Sequence, residues 1–441
     1  MRPPSPDAIA AGVAATLPHD VPFAIVRDGR RTVVACAPAE LVVASGRAAL
    51  EQLDDLAAGW WAGFVAYELG HAIERVVPRP SQLPPPAPPL PDLVLARFDA
   101  RAVIGPEPDR VELVGDGPSR AALELAVGRA RDDSRHRAGS DIALDACARS
   151  WRSSLSRSQF EARVATIIEL IRAGECYQVN LTRRLTLDDK LDPIRLFGAL
   201  ACENPAPHSA LLRLPAGCAG PQPFAVVSAS PETFLRWRAG NVVTRPIKGT
   251  SRDLDALVRS AKDRAENVMI VDLARNDLGR VCVPGTITVP ALCTPEAHPG
   301  LHHLVSTVSG RLRAGVGPGA LLRATLAPAS VTGAPKPRVL QVIEQLETVP
   351  RGVYCGAVGW IDTERDAGDL SVAIRTFTVH GARTELGVGA GIVADSDPAA
   401  EWRETELKGA RLLAIAAASA GVEVGANDAG SRREAATPVG A

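Results

Sequence analysis

The strand-like stretches of this chain lie too close together to be joined by helical crossovers, and that limits the sheets it can build. SVAIRTFTVH (371–380) and TELGVGAGIVA (384–394) are three residues apart, and VYCGAVGWID (353–362) precedes them by a short polar turn. A parallel pair needs a connection of about a dozen residues or more, so neighbours this close pair as antiparallel hairpins. AVVSAS, VVTRPI and ITVPAL add strands, while 254–278, 319–326, 337–348 and 399–419 carry helical patterns. Hairpins interleaved with helices predict an α+β fold with antiparallel sheets, not a succession of βαβ units.

Composition narrows the function. The 441 residues are 46% hydrophobic and 22% charged, enough for a large core and unlike a disordered chain. A net charge of -1 leaves no basic excess to hold nucleic acid or an anionic membrane. No apolar run reaches the roughly 18 residues of a membrane span, and MRPPSPDAIAAGVAATLPHD does not read as a secretory leader. Eight scattered cysteines without CxxC spacing fit a reducing, cytoplasmic setting and imply neither a disulfide framework nor a zinc site.

Two regions are expected. Residues 1–150 hold short strands, a proline-rich connector at 78–91 and a charged linker at 131–141; residues 151–420 hold longer elements; 421–441 reads as a disordered tail. Ser158 and Glu161 predict a capping box, and Phe160, Val164, Ile167, Ile168 and Ile171 keep helical period up to Gly174. Tyr177, Val179 and Leu181 then alternate with Gln178, Asn180 and Thr182 as in a strand.

Candidate chemistry follows from a few residues. Only five cations are lysines, at 190, 248, 262, 336 and 408, against 44 arginines, so each lysine marks a place where a compact ammonium or its neutral amine can matter. Glu232 and Lys248 are sixteen residues apart, and a strand-turn-strand would bring an acid and an amine to one cleft. Asp263 and Glu266 share a helix face, as do Glu401, Glu404 and Lys408 on a helix that Asp397 caps and Pro398 opens. Two such helices could hold a hard divalent cation. Taken singly, the same residues also fit loop ion pairs and solvated acidic faces. The glycine-rich 387–393 segment could present N–H groups to an anion, Arg375 reads as mid-strand, and His303 alone reads as a core histidine.

Their combination is more specific. GECYQVNLT, SPETFL, PIKGTSRD, AENVMIVDLARNDLGRV, HHLVSTVSG, TGAPKPRVLQVIEQLE, GVYCGAVGWID, AIRTF and GAGIVADSDPAAEWRETELKGA together resemble the chorismate-utilising enzymes over roughly 156–415, with GFVAYELG a looser match. The resemblance implies that family's fold, two packed antiparallel sheets flanked by helices in α/β/β/α layers. It implies Glu266 and Glu404 as ligands of Mg2+, with Asp263 and Glu401 supporting through water. Arg375 and Tyr354 match positions that hold the enolpyruvyl carboxylate. Thr332, His303 and the amides around Gly389, Ala390 and Gly391 match the rest of the cradle, with Lys408 beside them. Glu232 matches the general acid at the C4 hydroxyl. Gln178 stands where water-adding members carry a lysine base. PIKGT replaces the PIAGT of anthranilate-forming members, so Lys248 resembles the nucleophile of the branch that makes 4-amino-4-deoxychorismate. An anthranilate-forming enzyme and a non-catalytic chorismate-binding scaffold are the alternatives. No glutaminase or lyase domain is read within the 441 residues, so a separate class I glutamine amidotransferase subunit is the expected ammonia source. The serine-containing signature of a tryptophan pocket is not found in PFAIVRDGRRTVVACAPAE.

Overall fold

The protein is described here by a computed structural model covering residues 5–76, 90–107, 110–134, 151–298 and 301–420. A side-chain period of two creates its layers. In the strand Phe23–Asp28, Phe23 and Ile25 face helices while Ala24 and Val26 face a second sheet. In Trp60–Val65 of that second sheet, Trp60, Ala62 and Phe64 point to the first sheet, and Trp61 and Val65 point to helices on the other side. The outer face of the first sheet buries Ala10, Val13, Leu196, Phe197 and Leu412. That of the second buries Leu50, Leu53, Leu321 and Leu322. The order is therefore helix, sheet, sheet, helix, as the family resemblance implied.

Among the described residues one sheet has eleven strands and the other ten, with antiparallel pairing. Strands from the first 115 residues extend both. Phe23–Asp28 pairs with His208–Leu214, and Trp60–Val65 with Ala357–Asp362.

Two strands change sheets side by side, and this positions the site. Phe224–Ser230 lies in the first sheet and Thr233–Arg238 in the second, with Pro231 and Glu232 between them. Ala367–Val372 and Thr376–His380 cross the other way through 373–375. Ser228 pairs with Thr376 and Thr233 with Ser371, so the two crossings are neighbours. The Val372 N–H donates to the Glu232 carbonyl and the Ala229 N–H to the Arg375 carbonyl, each at 3.1 Å.

Several sequence expectations are corrected. Arg375 is not mid-strand: it sits in the crossing bend with φ +51°, because a strand that changes sheets must break its pairing. VVTRPI is likewise interrupted at Pro246, which has no N–H to give a ladder. The helix expected over 254–278 is two, Leu254–Arg259 and Ala261–Gly279, divided at Ser260, whose extended backbone and hydroxyl cap the second. The capping box uses Ser156 and Gln159, not Ser158 and Glu161, since the helix Arg157–Arg172 starts earlier. Residues 131–134 of the expected linker end the helix Pro118–Ser134. The rest of that linker, residues 78–89 of the proline-rich connector and the tail lie outside the described residues.

Candidate active site

The first crossing carries a buried acid. Glu232 is 3% exposed; its N–H donates to Ser230 Oγ at 3.2 Å, and that hydroxyl donates to the Val372 carbonyl at 2.6 Å. Burial pushes the Glu232 carboxyl up to about 7, against the opposing pull of the Ser330 hydroxyl, the Lys248 charge and the Ile247 N–H. A carboxylic acid tuned to neutrality is suited to donating a proton.

Lys248 lies on the strand Ile247–Ser251, which pairs with Leu301–Arg311 and carries a bulge between Lys248 and Thr250. Gly249, at φ +78°, supplies the backbone conformation that such a bulge needs. The amine reaches the opposite wall: a Cβ placed on Gly391 would stand 3.0 Å from Lys248 Nζ and 3.3 Å from Gln178 Nε2. Burial lowers the Lys248 pKa; Glu266, Glu232 and Glu404 oppose that fall, while Lys408 adds to it. Gln178 is fully buried, and neither its amide nitrogen nor its amide oxygen has a partner. An unpaired amide in a dry wall is costly unless a ligand meets it.

Two helices bring the carboxylates. Ser260 Oγ accepts the Asp263 N–H at 3.2 Å to start Ala261–Gly279. The fully buried Asn267 fastens that helix to the neighbouring strand, donating to the Leu304 carbonyl at 3.1 Å and accepting from the Ser306 hydroxyl. Asp263 packs on Gly249, next to Lys248. On Pro398–Ala420, Asp397 accepts the Ala400 N–H at 2.7 Å, in line with the predicted cap. The Ser396 hydroxyl donates to Glu401 at 2.6 Å. Lys262 bridges the two helices, 4.0 Å from Glu266 and 3.8 Å from Glu401. Lys408 stands 2.6 Å from Glu404 and donates to the Gly389 carbonyl at 3.0 Å.

Burial raises the Glu266 and Glu401 pKa values, and the negative charge of Glu404 raises both further. At Glu404 burial again pushes upward, but Lys408, Lys248 and Lys262 together pull the other way and the net shift is down. Among the described residues no three His, Cys, Asp or Glu side chains are gathered closely enough to hold a metal ion. The donor chemistry nevertheless fits a hard divalent cation: oxygen ligands from two helices, mutually repelling and drawing lysine ammoniums to themselves.

The remaining candidates surround this cleft. Arg375 Nη2 is 3.3 Å from His303 Nε2, and His303 lies on Leu301–Arg311 one position from the residue opposite Lys248. The Tyr354 ring lies over Gly387 so closely that a Cβ there would stand 2.2 Å from Cδ1. Thr332 is fully buried with an unpartnered hydroxyl. Gly389, Ala390 and Gly391 are in a strand, opposite Thr182, Leu181 and Asn180.

Sequence reading gave no role to Lys262 or Asn267, and it used Gln178 only to argue against a base. The i, i+4 spacing of Lys262 and Glu266 was a legible signal. An unpartnered amide or a helix fastened across a strand leaves no mark in a single sequence.

Comparisons with known proteins bear on the family and the fold. Residues 17–414 match the sequence model of a family described as chorismate binding enzyme. Over 273 residues the chain is 44% identical to a protein named aminodeoxychorismate synthase component 1 from Klebsiella aerogenes, a match covering 60% of this chain and 59% of that one. The like-named protein of Salmonella typhimurium is 37% identical over 335 residues, covering 74% and 70%. The matched segments thus span about six and seven tenths of those relatives. Anthranilate synthase component I from Streptococcus pneumoniae superimposes with a TM-score of 0.72 at 27% identity, covering 87% of this chain and 92% of that one.

Proposed function

The chain belongs to the chorismate-binding enzymes, and we propose that it converts chorismate and ammonia to 4-amino-4-deoxychorismate. The observation that carries this reading is the placement of Lys248: its amine lies against Gly391 and Gln178, and burial favours the neutral form that attack requires. The names of the Klebsiella and Salmonella relatives support the same branch.

In this mechanism the neutral Lys248 amine adds at C2 of the ring while Glu232 protonates the departing C4 hydroxyl. Ammonia then attacks C4 and the lysine leaves, with the enolpyruvyl group retained. Arg375 and Tyr354 hold the enolpyruvyl carboxylate; Thr332, His303, Lys408 and the amides at Gly389, Ala390 and Gly391 orient the rest. Gln178 offers an amide to the substrate side and cannot act as a base toward water. Glu266 and Glu404 would hold magnesium, with Asp263 and Glu401 behind them, and the ion would neutralise carboxylate charge beside the ring. Ammonia comes from a separate glutaminase subunit, a reading supported by the "component 1" in the relatives' names. A cytoplasmic setting is part of this proposal, supported by scattered cysteines without CxxC spacing; separately, among the described residues no helix is long and apolar enough to cross a membrane.

Product identity tests this. With chorismate, magnesium and ammonium, the chain is expected to yield a product that becomes 4-aminobenzoate only after a lyase is added. Fluorescent anthranilate appearing with pyruvate would overturn it in favour of anthranilate synthesis. Calorimetric binding of chorismate without turnover would make the chain a scaffold.

A further inference from the structure

Glu232 borders a cavity of about 30 Å³ that the mechanism above does not use. Thr244, Ser330, Thr325 and Asp277 add polar groups to its wall; Lys248, Gln178, Gly391, His303 and Arg375 are not part of it. The volume suffices for a water, and in a wall that is otherwise mostly apolar these few carboxyl and hydroxyl groups are the partners that could hold it. Asp277, on the same wall, receives Lys336 Nζ at 2.8 Å, and the same ammonium donates to the carbonyls of Leu326 at 3.1 Å and Thr325 at 3.4 Å. The Lys336 and Asp277 side chains are 10% and 9% exposed, so this ion pair just reaches solvent. Arg280 and Glu74, themselves 3.9 Å apart, are the other charges acting on Asp277. Lys248 is the charge acting on Glu232.

The proposed reaction creates a need for such a path. In the first step the Glu232 proton leaves with the C4 hydroxyl as water. In the second, ammonia keeps its three hydrogens as the C4 ammonium and Lys248 departs as the free amine. Glu232 therefore ends each cycle as a carboxylate and must take one proton from outside, while its front is closed by the product.

We infer that Asp277 is the positioning residue of a rear proton relay, passing solvent protons through water in this cavity to Glu232. Asp277 gains a proton from solvent and gives one to the cavity water, which gives one to Glu232. Asp277 and the water finish unchanged. Lys336 fixes the Asp277 carboxylate on the cavity wall. The inference rests on the amination reading, so wild-type turnover of chorismate is measured first; no turnover removes that reading before any variant is made.

Given turnover, Asp277→Asn keeps the shape and an acceptor for Lys336 but cannot relay. Its kcat is expected to fall about tenfold, short of the ~10²-fold loss of a reacting group, with KM for chorismate unchanged. The solvent deuterium isotope effect on kcat should rise, and in Asp277→Ala, which vacates the carboxylate's space, added formate should restore turnover. Ala274→Ile, which fills the cavity and leaves both carboxylates in place, is expected to reproduce the lower kcat and raised isotope effect without rescue by formate. Unchanged kcat and isotope effect in folded Asp277→Asn and Ala274→Ile would overturn the relay. So would a slowed Asp277→Asn enzyme whose isotope effect does not move, because that is the signature of a structural ion pair.

Discussion

Two groups of charged and polar residues near the start of the strand Gln178–Leu187 are finished differently. In one, Arg351 is fully committed: it donates to Glu347 at 2.6 and 2.9 Å and to the carbonyls of Val331 and Asn180 at 2.7 Å, and it stacks over Tyr67 at 4.4 Å. Glu347 also accepts the Thr182 N–H, and Glu68 accepts the N–H groups of Arg351 and Gly352. In the other, Gln178 and Thr332 are buried without partners, and Lys262 stands 3.8–4.0 Å from two carboxylates. Charges whose bonds are all filled brace the fold, whereas polar groups left open in a buried wall await a ligand.

The largest expected effect is in the filled group. Arg351→Met should cost about 3–5 kcal/mol in stability by leaving Glu347 buried without its cation. Chemical denaturation measures it, and a loss under 1 kcal/mol would mean that the knot is not a brace. In the open group, Lys248→Ala should slow amination at least ~10²-fold, the cost of a lost catalytic group, with a near-native denaturation midpoint. Turnover like wild type would remove the covalent role. Glu404→Gln should raise the magnesium needed for half-maximal activity about tenfold or more, read from a metal titration; an unchanged titration would argue against that ligand assignment. The smallest effect is a titration. Followed by the infrared carboxyl stretch, Glu232 should ionise near 7, protonated below and charged above. In Lys248→Met the midpoint should move upward, because the cation that favours its carboxylate is gone. An unmoved midpoint would place Lys248 out of its reach.

Much of this was legible in the sequence. Short links between strand-like stretches gave the antiparallel class, Asp397 and Pro398 gave a helix start, and the scarcity of lysine drew attention to Lys248, Lys262, Lys336 and Lys408 together. Three of the misreadings share one cause. Local pattern continues through Pro246, Ser260 and Arg375, but the chain there turns for tertiary reasons, changing sheets or restarting a helix. The cavity behind Glu232 and the unpaired amide of Gln178 were beyond reach, since both are defined by what distant segments fail to fill.

Lys248 rides on a short strand paired along one side, at a bulge, while Glu232 and Arg375 occupy the bends where the two sheets exchange strands. Replacing the proposed nucleophile would therefore disturb a margin, whereas moving the proposed acid would mean re-threading both layers at once. A scaffold divided in this way can trade one attacking group for another while its leaving-group chemistry stays fixed, so new products become accessible through a single peripheral side chain.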